Sequence, residues 1–577
     1  MQMKNSLLGG VALGVLLAAG LSSGADAKIK KHHHVAAAEA GPSAEDAKVS
    51  ALADEIESLK ARLDSETLAR EQSESQIASA QTQAAAAQAD AQEARSQLAE
   101  QIQTLPGQVK TAVDAVKPKT DKIYYKGVTV TLGGFAEAAG IYRSHDETAD
   151  ISSSFSKIPF ANDRAGHTPE TVLTGRQSRY SALVQGDINP TTHAAFYGEF
   201  DFQGGAQTAN SNQSDSYNPR VRNLYGSIDW DDSGWHLLAG QNWSLVTMNT
   251  KGISPRNELT PPQIDAQYIP GFAWARQPQF RLTKDFDKTL WVALSVENPQ
   301  TTLSLNGTNS GVATGVTVTD NQAPTNGFYS GTNYSTSHIP DVVAKVALEE
   351  PLDGHNLHVE AFGILRDFSD RTTIAPAAGT QAATLGYAAG TSSNDTLGGG
   401  FGAGVNLAAV PKILDLDASV MTGQGIGRYG SAGLPDATAR PDGHLEGIKE
   451  TMWLAGATLH PTSQLDVYVF GGSEQEGQKV YRFGSLPGLS YGYGTVAGAN
   501  YAGCLTEGGS CSPLTRSVTQ ITAGFWDRFY QGPFGRLQVG VQYSYTERKT
   551  FEDATASGLA PKATENMIFT SFRYYPF

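Results

Sequence analysis

Two hydrophobic periods divide this chain. Val49, Leu52, Ile56, Leu59 and Leu63 recur at alternating separations of three and four, the a and d positions of a coiled coil. The same frame continues through Glu66, Arg70, Ser73, Ile77, Ala80, Ala84, Ala87, Ala91, Ala94 and Leu98, so an alanine-lined seam follows the leucine-rich one. Pro106-Gly107 ends the pattern. The spacing predicts a helix over 44–105, about 90 Å long at 1.5 Å per residue. No aromatic residue occurs between Lys28 and Lys122, so this region has nothing to build a core from. It needs partner chains, most simply copies of itself; a solvated single helix or a disordered spacer is the alternative that the polar a and d positions leave open.

At Ile123 the period changes to two. Phe196, Gly198, Phe200 and Phe202 fall on one face of an extended chain and Tyr197, Glu199 and Asp201 on the other. Leu537, Val539, Val541, Tyr543 and Tyr545 oppose Gln538, Gly540, Gln542 and Ser544, and Lys345 faces away from the row Val342, Ala344, Val346 and Leu348. Segments of this kind, separated by Gly, Asn, Asp, Pro and Ser clusters, lie near 128–143, 179–188, 193–203, 221–230, 235–243, 272–282, 289–297, 341–349, 357–367, 399–407, 412–423, 451–459, 465–473, 515–528, 535–547 and 565–577. An even set of sixteen suits an all-β, 16-stranded antiparallel transmembrane barrel over 123–577, preceded by the coiled coil over 44–105 and a linker over 106–122. In a soluble sandwich the apolar face would point inward; in a membrane barrel it points to lipid. The chain end favours the barrel. Met567, Phe569, Tyr575 and Phe577 share parity, interrupted by Ser571 and Arg573, and a last strand closing on an aromatic terminus looks like the signal read by the barrel assembly machinery.

Composition supports this division. The 577 residues are 40% hydrophobic and 18% charged, against about 45–50% and about 25% in ordinary soluble domains. The one long apolar run, 7–21, is too short for a membrane helix, which excludes a polytopic helical transporter. Twenty-two Tyr, 22 Phe and 7 Trp argue against disorder. Lys4, the apolar run and Ala25-Asp26-Ala27 form a signal peptide over 1–27. Lys28, Lys30, Lys31 and His32 to His34 then read as a solvated basic leader over 28–43 rather than a metal site. Export agrees with a disulfide between the two cysteines, Cys504 and Cys511, whose short loop contains two glycines; metal binding by two thiols is the alternative.

The stretch Thr260-Pro-Pro-Gln-Ile-Asp-Ala-Gln-Tyr-Ile-Pro-Gly-Phe-Ala-Trp-Ala-Arg-Gln-Pro-Gln-Phe-Arg281, with Gly133-Gly-Phe135, Arg176-Gln-Ser-Arg179 and Ala239-Gly-Gln-Asn-Trp-Ser244, resembles the DcaP-like outer-membrane porins. The resemblance covers nearly the whole mature chain in architecture and is most specific over 123–297. It implies a homotrimer in the bacterial outer membrane, in contact with lipid and lipopolysaccharide, with the coiled coil in the periplasm. It also implies passive diffusion of small anionic solutes, especially dicarboxylates, with no cofactor and no nucleic-acid partner.

Net charge does not announce an anion channel, since the chain carries −15. Selectivity must be local, set by arginines in a narrow lumen, which grip carboxylates with two parallel hydrogen bonds. The segment 244–270 holds Pro255, Pro261, Pro262 and Pro270, lacks alternation and lies between two good strands. It is expected to fold into the lumen as the constriction. Arg143, Arg176, Arg179, Arg222, Arg276 and Arg281 are the candidate anion-binding residues, with Arg220 and Arg256 nearby. Parity forbids Arg276 and Arg281 from both pointing inward without a bulge, for which Pro278 is the candidate, and a surface or lipopolysaccharide-facing charge is the alternative for any one of them. Trp230 and Trp235 read as a membrane-interface turn. The loop 300–340 is expected outside the cell, and its glycosylation patterns at Asn306-Gly-Thr308 and Asn333-Tyr-Ser335 carry no weight there. No phosphate loop, two-histidine metal helix or nucleophile elbow stands in its proper context, and His355 and His358 read as lumen or rim residues, so an enzyme is not expected. The remaining alternatives are a general or sugar-permeable porin and a structural barrel whose periplasmic stalk tethers envelope layers.

Overall fold

The computed structural model describes residues 44–104, 122–204, 218–304, 311–319, 321–322, 334–335, 337–352 and 355–577. The expected signal peptide and leader, with His32 to His34, the linker up to residue 121, and Asn306, Thr308 and Asn333 lie outside them. The chain forms two units, 1–114 and 115–577.

In the first unit one helix, α1, runs Ala44–Thr104 over 61 residues. Of its expected seam, Ile56, Leu59 and Leu63 are all more than half exposed. A Leu-rich row on an otherwise polar, aromatic-free helix has no apolar surface of its own to turn to.

In the second unit sixteen long strands close one sheet, to which the short strands Lys122–Tyr125, Glu170–Thr174 and Val316–Thr319 add among the described residues. The first eight are β1 (Val128–Arg143), β2 (Arg179–Asn189), β3 (Thr192–Asp201), β4 (Arg220–Trp230), β5 (Trp235–Trp243), β6 (Arg276–Phe286), β7 (Leu290–Glu297) and β8 (Asp341–Leu352). The second eight are β9 (His355–Ile374), β10 (Gly390–Val410), β11 (Leu414–Gln424), β12 (Lys449–Leu459), β13 (Leu465–Glu476), β14 (Thr515–Gly532), β15 (Gly535–Thr550) and β16 (Lys562–Tyr575). Each pairs antiparallel with the next. Strand β16 returns to β1 with Gly140 opposite Thr570 and Ile141 opposite Phe569, so the sheet is closed and leaves no edge. A short strand, Lys122–Tyr125, folds back on the start of β1 through Lys126 and Gly127. Both turn residues have positive φ, 47° and 82°, as a two-residue hairpin matching the strand twist requires.

The alternation is inverted relative to a soluble sheet. In β7 the exposed row is Leu290, Val292, Leu294 and Val296, while the buried row is Trp291, Ala293, Ser295 and Glu297. The same holds for Val346 and Leu348 in β8, Val467 and Val469 in β13, and Val541 and Tyr543 in β15. The outer surface is thus an apolar belt and the polar row faces inward. Connections at one end of the barrel are short, as at 231–234 and 287–289; those at the other include 144–169, 244–275, 298–340, 425–448 and 477–514. The last of these carries the Cys504–Cys511 disulfide.

Three expectations change. The strand expected at 272–282 begins at Arg276, because 272–275 still belongs to the preceding loop. Strands β9 and β10 run to 20 and 21 residues, well past the expected 357–367 and 399–407, since both continue beyond the apolar belt as a polar hairpin. The parity of the last strand is reversed: Met567 and Phe569 are fully buried inside the barrel, and Ile568 and Phe572 face out. Ser571 and Arg573 therefore continue the same inward row and interrupt no lipid face.

Candidate functional site

Two of the long connections turn into the barrel. The first, 244–275, cannot continue a strand because Pro255, Pro261, Pro262 and Pro270 lack the N–H that a ladder needs. Its apolar residues fold inward instead. Ile264, Tyr268, Ile269 and Phe272 pack on inward-facing Ile141, Tyr468, Phe470, Trp526 and Phe569, and Leu245, Val246 and Ile253 pack on Val343, Phe362, Ile364 and Met421.

Polar ties fix its path across the lumen. Leu245 N donates to Glu297 at 2.9 Å, Lys345 Nζ to Thr247 O at 2.7 Å and Asn249 N to Glu360 at 3.1 Å. Ile264 N donates to Gln542 Oε1 at 2.6 Å, and Trp526 Nε1 to Pro262 O at 2.8 Å. These partners lie on β7, β8, β9, β14 and β15, so the segment spans the barrel.

The second inward connection, 425–448, was not legible in the sequence. Its Tyr429 hydroxyl donates to Asp341 at 2.6 Å and Arg428 to Gln277 Oε1 at 2.5 Å. Glu474 holds the two loops together, accepting from Gly271 N at 2.7 Å and from Ala432 N at 2.9 Å. At Gly430 a Cβ would stand 2.2 Å from a Glu474 oxygen, so any larger residue there would have to displace the carboxylate that ties the two loops.

The candidate arginines divide into two groups. Arg143 is fully buried and both its terminal nitrogens are engaged: it donates to Glu170 at 2.9 Å, Ala149 O at 3.0 Å, Asp150 O at 2.6 Å and Ser153 at 3.2 Å, while its Nε, without an acceptor among the described residues, lies 3.7 Å from Glu147. Its guanidinium binds its own loop and offers nothing to a solute. Arg281 is enclosed too, donating to Gln279 Oε1 at 3.0 Å and Trp243 O at 2.6 Å. Arg176 lies at the wall, tied to Phe202 O, Gly204 O and Asp150.

The other group converges beside the first loop. Arg220 grips Asp201 with two bonds, 3.0 and 2.7 Å; Arg222 bridges Glu199 at 2.5 Å and Asp201 at 3.0 Å. Arg276 lies between the indoles of Trp243 and Trp274, 4.7 and 4.8 Å from the ring centres. Glu199 lies in the fields of Arg222, Arg179 and Arg276, and Arg179 bonds Tyr268 of the loop. Four guanidiniums thus face two carboxylates. Arg179 Nε and Arg276 Nη1 are buried without a hydrogen-bond acceptor among the described residues. Strand β6 has no bulge at Pro278; Arg276 enters the interior because it opens the strand opposite Trp243, where the chain leaves the inward loop.

The far wall has the opposite sign. On β12 and β13, Glu450 stands directly across from Glu476, with Glu474 on the same face. Sequence reading also passed over Lys345, Arg366, Arg428 and Arg573, all turned inward. For Lys345, Arg366 and Arg573 the signal was a basic residue alternating with an apolar outward row, as Lys345 stands against Val346; Arg428 lies in the loop 425–448 and carried no such signal. His358 is buried between Glu349 and Glu360, at 2.6 and 3.0 Å, at the inner rim.

No protein-family model matches the sequence, and no curated protein does. Among solved structures, the outer membrane channel DcaP of Acinetobacter baumannii superposes with a TM-score of 0.53 at 17% identity, covering 78% of this chain and 99% of that one. The fold is that of DcaP. OmpT of Vibrio cholerae (TM-score 0.39, 10% identity, 79% of this chain and 100% of that) and OmpF of Salmonella typhi in complex with daunomycin (0.40, 12%, 79% and 99%) lie further away. On this DcaP-like barrel the basic cluster of β2 to β6 and the acidic pair of β12 and β13 lie about half the strand order apart, on facing walls.

Proposed function

We propose that the protein is an outer-membrane porin through which small anionic solutes, carboxylates and dicarboxylates among them, diffuse passively. The observation that carries this reading is the excess of guanidinium over carboxylate at Arg179, Arg220, Arg222 and Arg276, beside a loop that narrows the lumen, with two donors left without acceptors. A carboxylate in low-dielectric surroundings gains there the bidentate bonds that the chain does not itself complete. Arg281 and Arg176 belong to the wall that supports this cluster, and Arg143 holds the loop 144–169.

In the same reading three copies associate, with α1 as a periplasmic coiled-coil stalk, and the signal peptide and the β16 terminus serve export and barrel assembly. No catalytic step is involved. Planar-bilayer recordings under a KCl gradient, repeated with succinate and with a neutral sugar, test the proposal. It expects a reversal potential on the anion side and faster passage of succinate than of the sugar. The acidic wall of Glu450, Glu474 and Glu476 favours a second reading, a weakly selective general porin, for which equal passage of sugar and succinate is the signature. A barrel that does not conduct would leave the structural-stalk reading.

A further inference from the structure

Five histidines stand beside pairs of carboxylates, and one differs from the other four. His193 bonds Asp187 and Asp231, His236 bonds Asp229 and Asp285, His358 bonds Glu349 and Glu360, and His460 bonds Asp466 and Asp415, each through opposite ring nitrogens. In those four the carboxylates diverge, and no single point is within reach of all three groups. At His338 they converge: one ligand atom each from His338, Asp367 and Asp395 lies within 4.8 Å of the others.

The three come from different elements at the long-loop end. Asp367 lies on β9, in the outward row with Leu365 and Ser369; Asp395 lies on β10 opposite Ser369; and His338 precedes β8. The His338 imidazole already meets one of the carboxylates, Nδ1 lying 2.7 Å from Asp395 Oδ1, but the remaining donors are few. The Ser369 hydroxyl has one proton for two acceptors, Asp367 Oδ2 at 2.6 Å and Asp395 Oδ1 at 2.8 Å. The backbone N–H of His338 reaches Asp367 Oδ2 at 3.2 Å and Ser369 Oγ at 3.1 Å. Asp367 is 3% exposed, yet its Oδ1 has no hydrogen-bond partner among the described residues. Neighbouring Arg366 gives no relief, because it turns inward to Asp341 and Asp436. An orphaned buried carboxylate oxygen is costly unless a cation meets it.

We propose that His338, Asp367 and Asp395 bind a divalent transition-metal ion on the outer face of the barrel, above the apolar belt. One imidazole and two carboxylates make a borderline donor set, suited to Zn²⁺ or Co²⁺ and distinct from the all-oxygen shells of Ca²⁺ and Mg²⁺. A bound ion would pin the segment before β8 to the β9–β10 hairpin.

The test uses the full chain in detergent, stripped with EDTA, in an H32A/H33A/H34A background that removes the leader imidazoles. Zn²⁺ titration by calorimetry and Co²⁺ absorption are compared with H338A and D395N, both changes at half-exposed side chains, and heat-modified gel mobility reports that the barrel is folded. The expected result is one Zn²⁺ per chain, at least tenfold weaker binding in either variant, and a Co²⁺ visible band that H338A abolishes. Zn²⁺ binding unchanged in folded H338A, or displaced equally well by Ca²⁺, overturns the proposal. If H338A alters mobility, H338Q replaces it, with the same outcomes deciding.

Discussion

Arg366 Nη1 donates to Asp436 Oδ1 at 2.6 Å in the barrel interior, joining β9 to the second inward loop. Both side chains are essentially inaccessible, and Arg366 also holds Asp341 at 3.1 Å and the carbonyl of Gly425. Removing one member of a buried pair strands the other, at a cost on the order of 3 kcal/mol. Asp436→Ala should therefore lower the thermal midpoint in detergent and release the loop 425–448, seen as larger and noisier single-channel openings. Asp436→Asn, which keeps an acceptor, should lose less. Equal midpoints for Asp436→Ala and the unaltered chain would show that the pair does not hold the loop.

Of the four arginines in the cluster beside the first inward loop, Arg179 and Arg276 are the ones with a buried donor left unmet among the described residues, and neither has an ion pair like those of Arg220 and Arg222. Deleting one unit charge about 6 Å from a solute is worth about 1–3 kcal/mol at effective dielectric constants of about 20–80. The double variant Arg179→Gln, Arg276→Gln should reduce the anion-to-cation permeability ratio several-fold, read as a reversal potential shifted toward the cation side. Arg143→Gln should disturb the loop 144–169 and leave selectivity largely in place. Identical reversal potentials for the double variant and the unaltered chain would remove these two arginines from the selectivity mechanism.

Much of the barrel was legible because lipid imposes the alternation directly. Val292, Leu294 and Val296 could face nothing else, and each strand announces itself in this way. Reading failed where inward residues are also apolar. Met567 and Phe569 looked like the lipid face because the loop core they pack against comes from residues some three hundred positions away. The segment 425–448 has no proline cluster like that of 244–270, and its inward path depends on Glu474 and Arg366, contacts between remote strands. The arginine pairings were hidden for a related reason. Whether Arg222 meets Glu199 depends on the register of β3 against β4, which shifts at Glu199 and Phe200.

Glu147 provides a pH test outside the strands. Burial raises its carboxyl from 4.5 to about 7, although Arg143 at 3.7 Å and the N–H of Ser154 at 2.9 Å oppose the shift. Between about pH 4.5 and about pH 7 the folded state holds a proton that the unfolded chain has released, so stability falls as pH rises through that window and levels off above it. Glu147→Gln should flatten this part of the profile and raise the midpoint at pH 8 relative to the unaltered chain. A profile with the same slope in both proteins would assign the titration to another group.

The seam of α1 makes a geometric prediction about assembly. Ile56 and Leu59 occupy successive a and d positions and are 52% and 54% exposed, whereas Ser58 lies off the seam. In a parallel, in-register bundle the same a position of each chain meets its own copies at the axis, so Ile56→Cys should form an interchain disulfide under mild oxidation and Ser58→Cys should not. The native cysteines are already paired with each other and do not compete. Adding Leu59→Asp places like charges one turn from the bond and should abolish the Ile56→Cys product while leaving the barrel folded. Equal cross-linking at positions 56 and 58 would mean that the helix does not associate through this seam, and the proposed association of copies would then have to rest on the barrels alone.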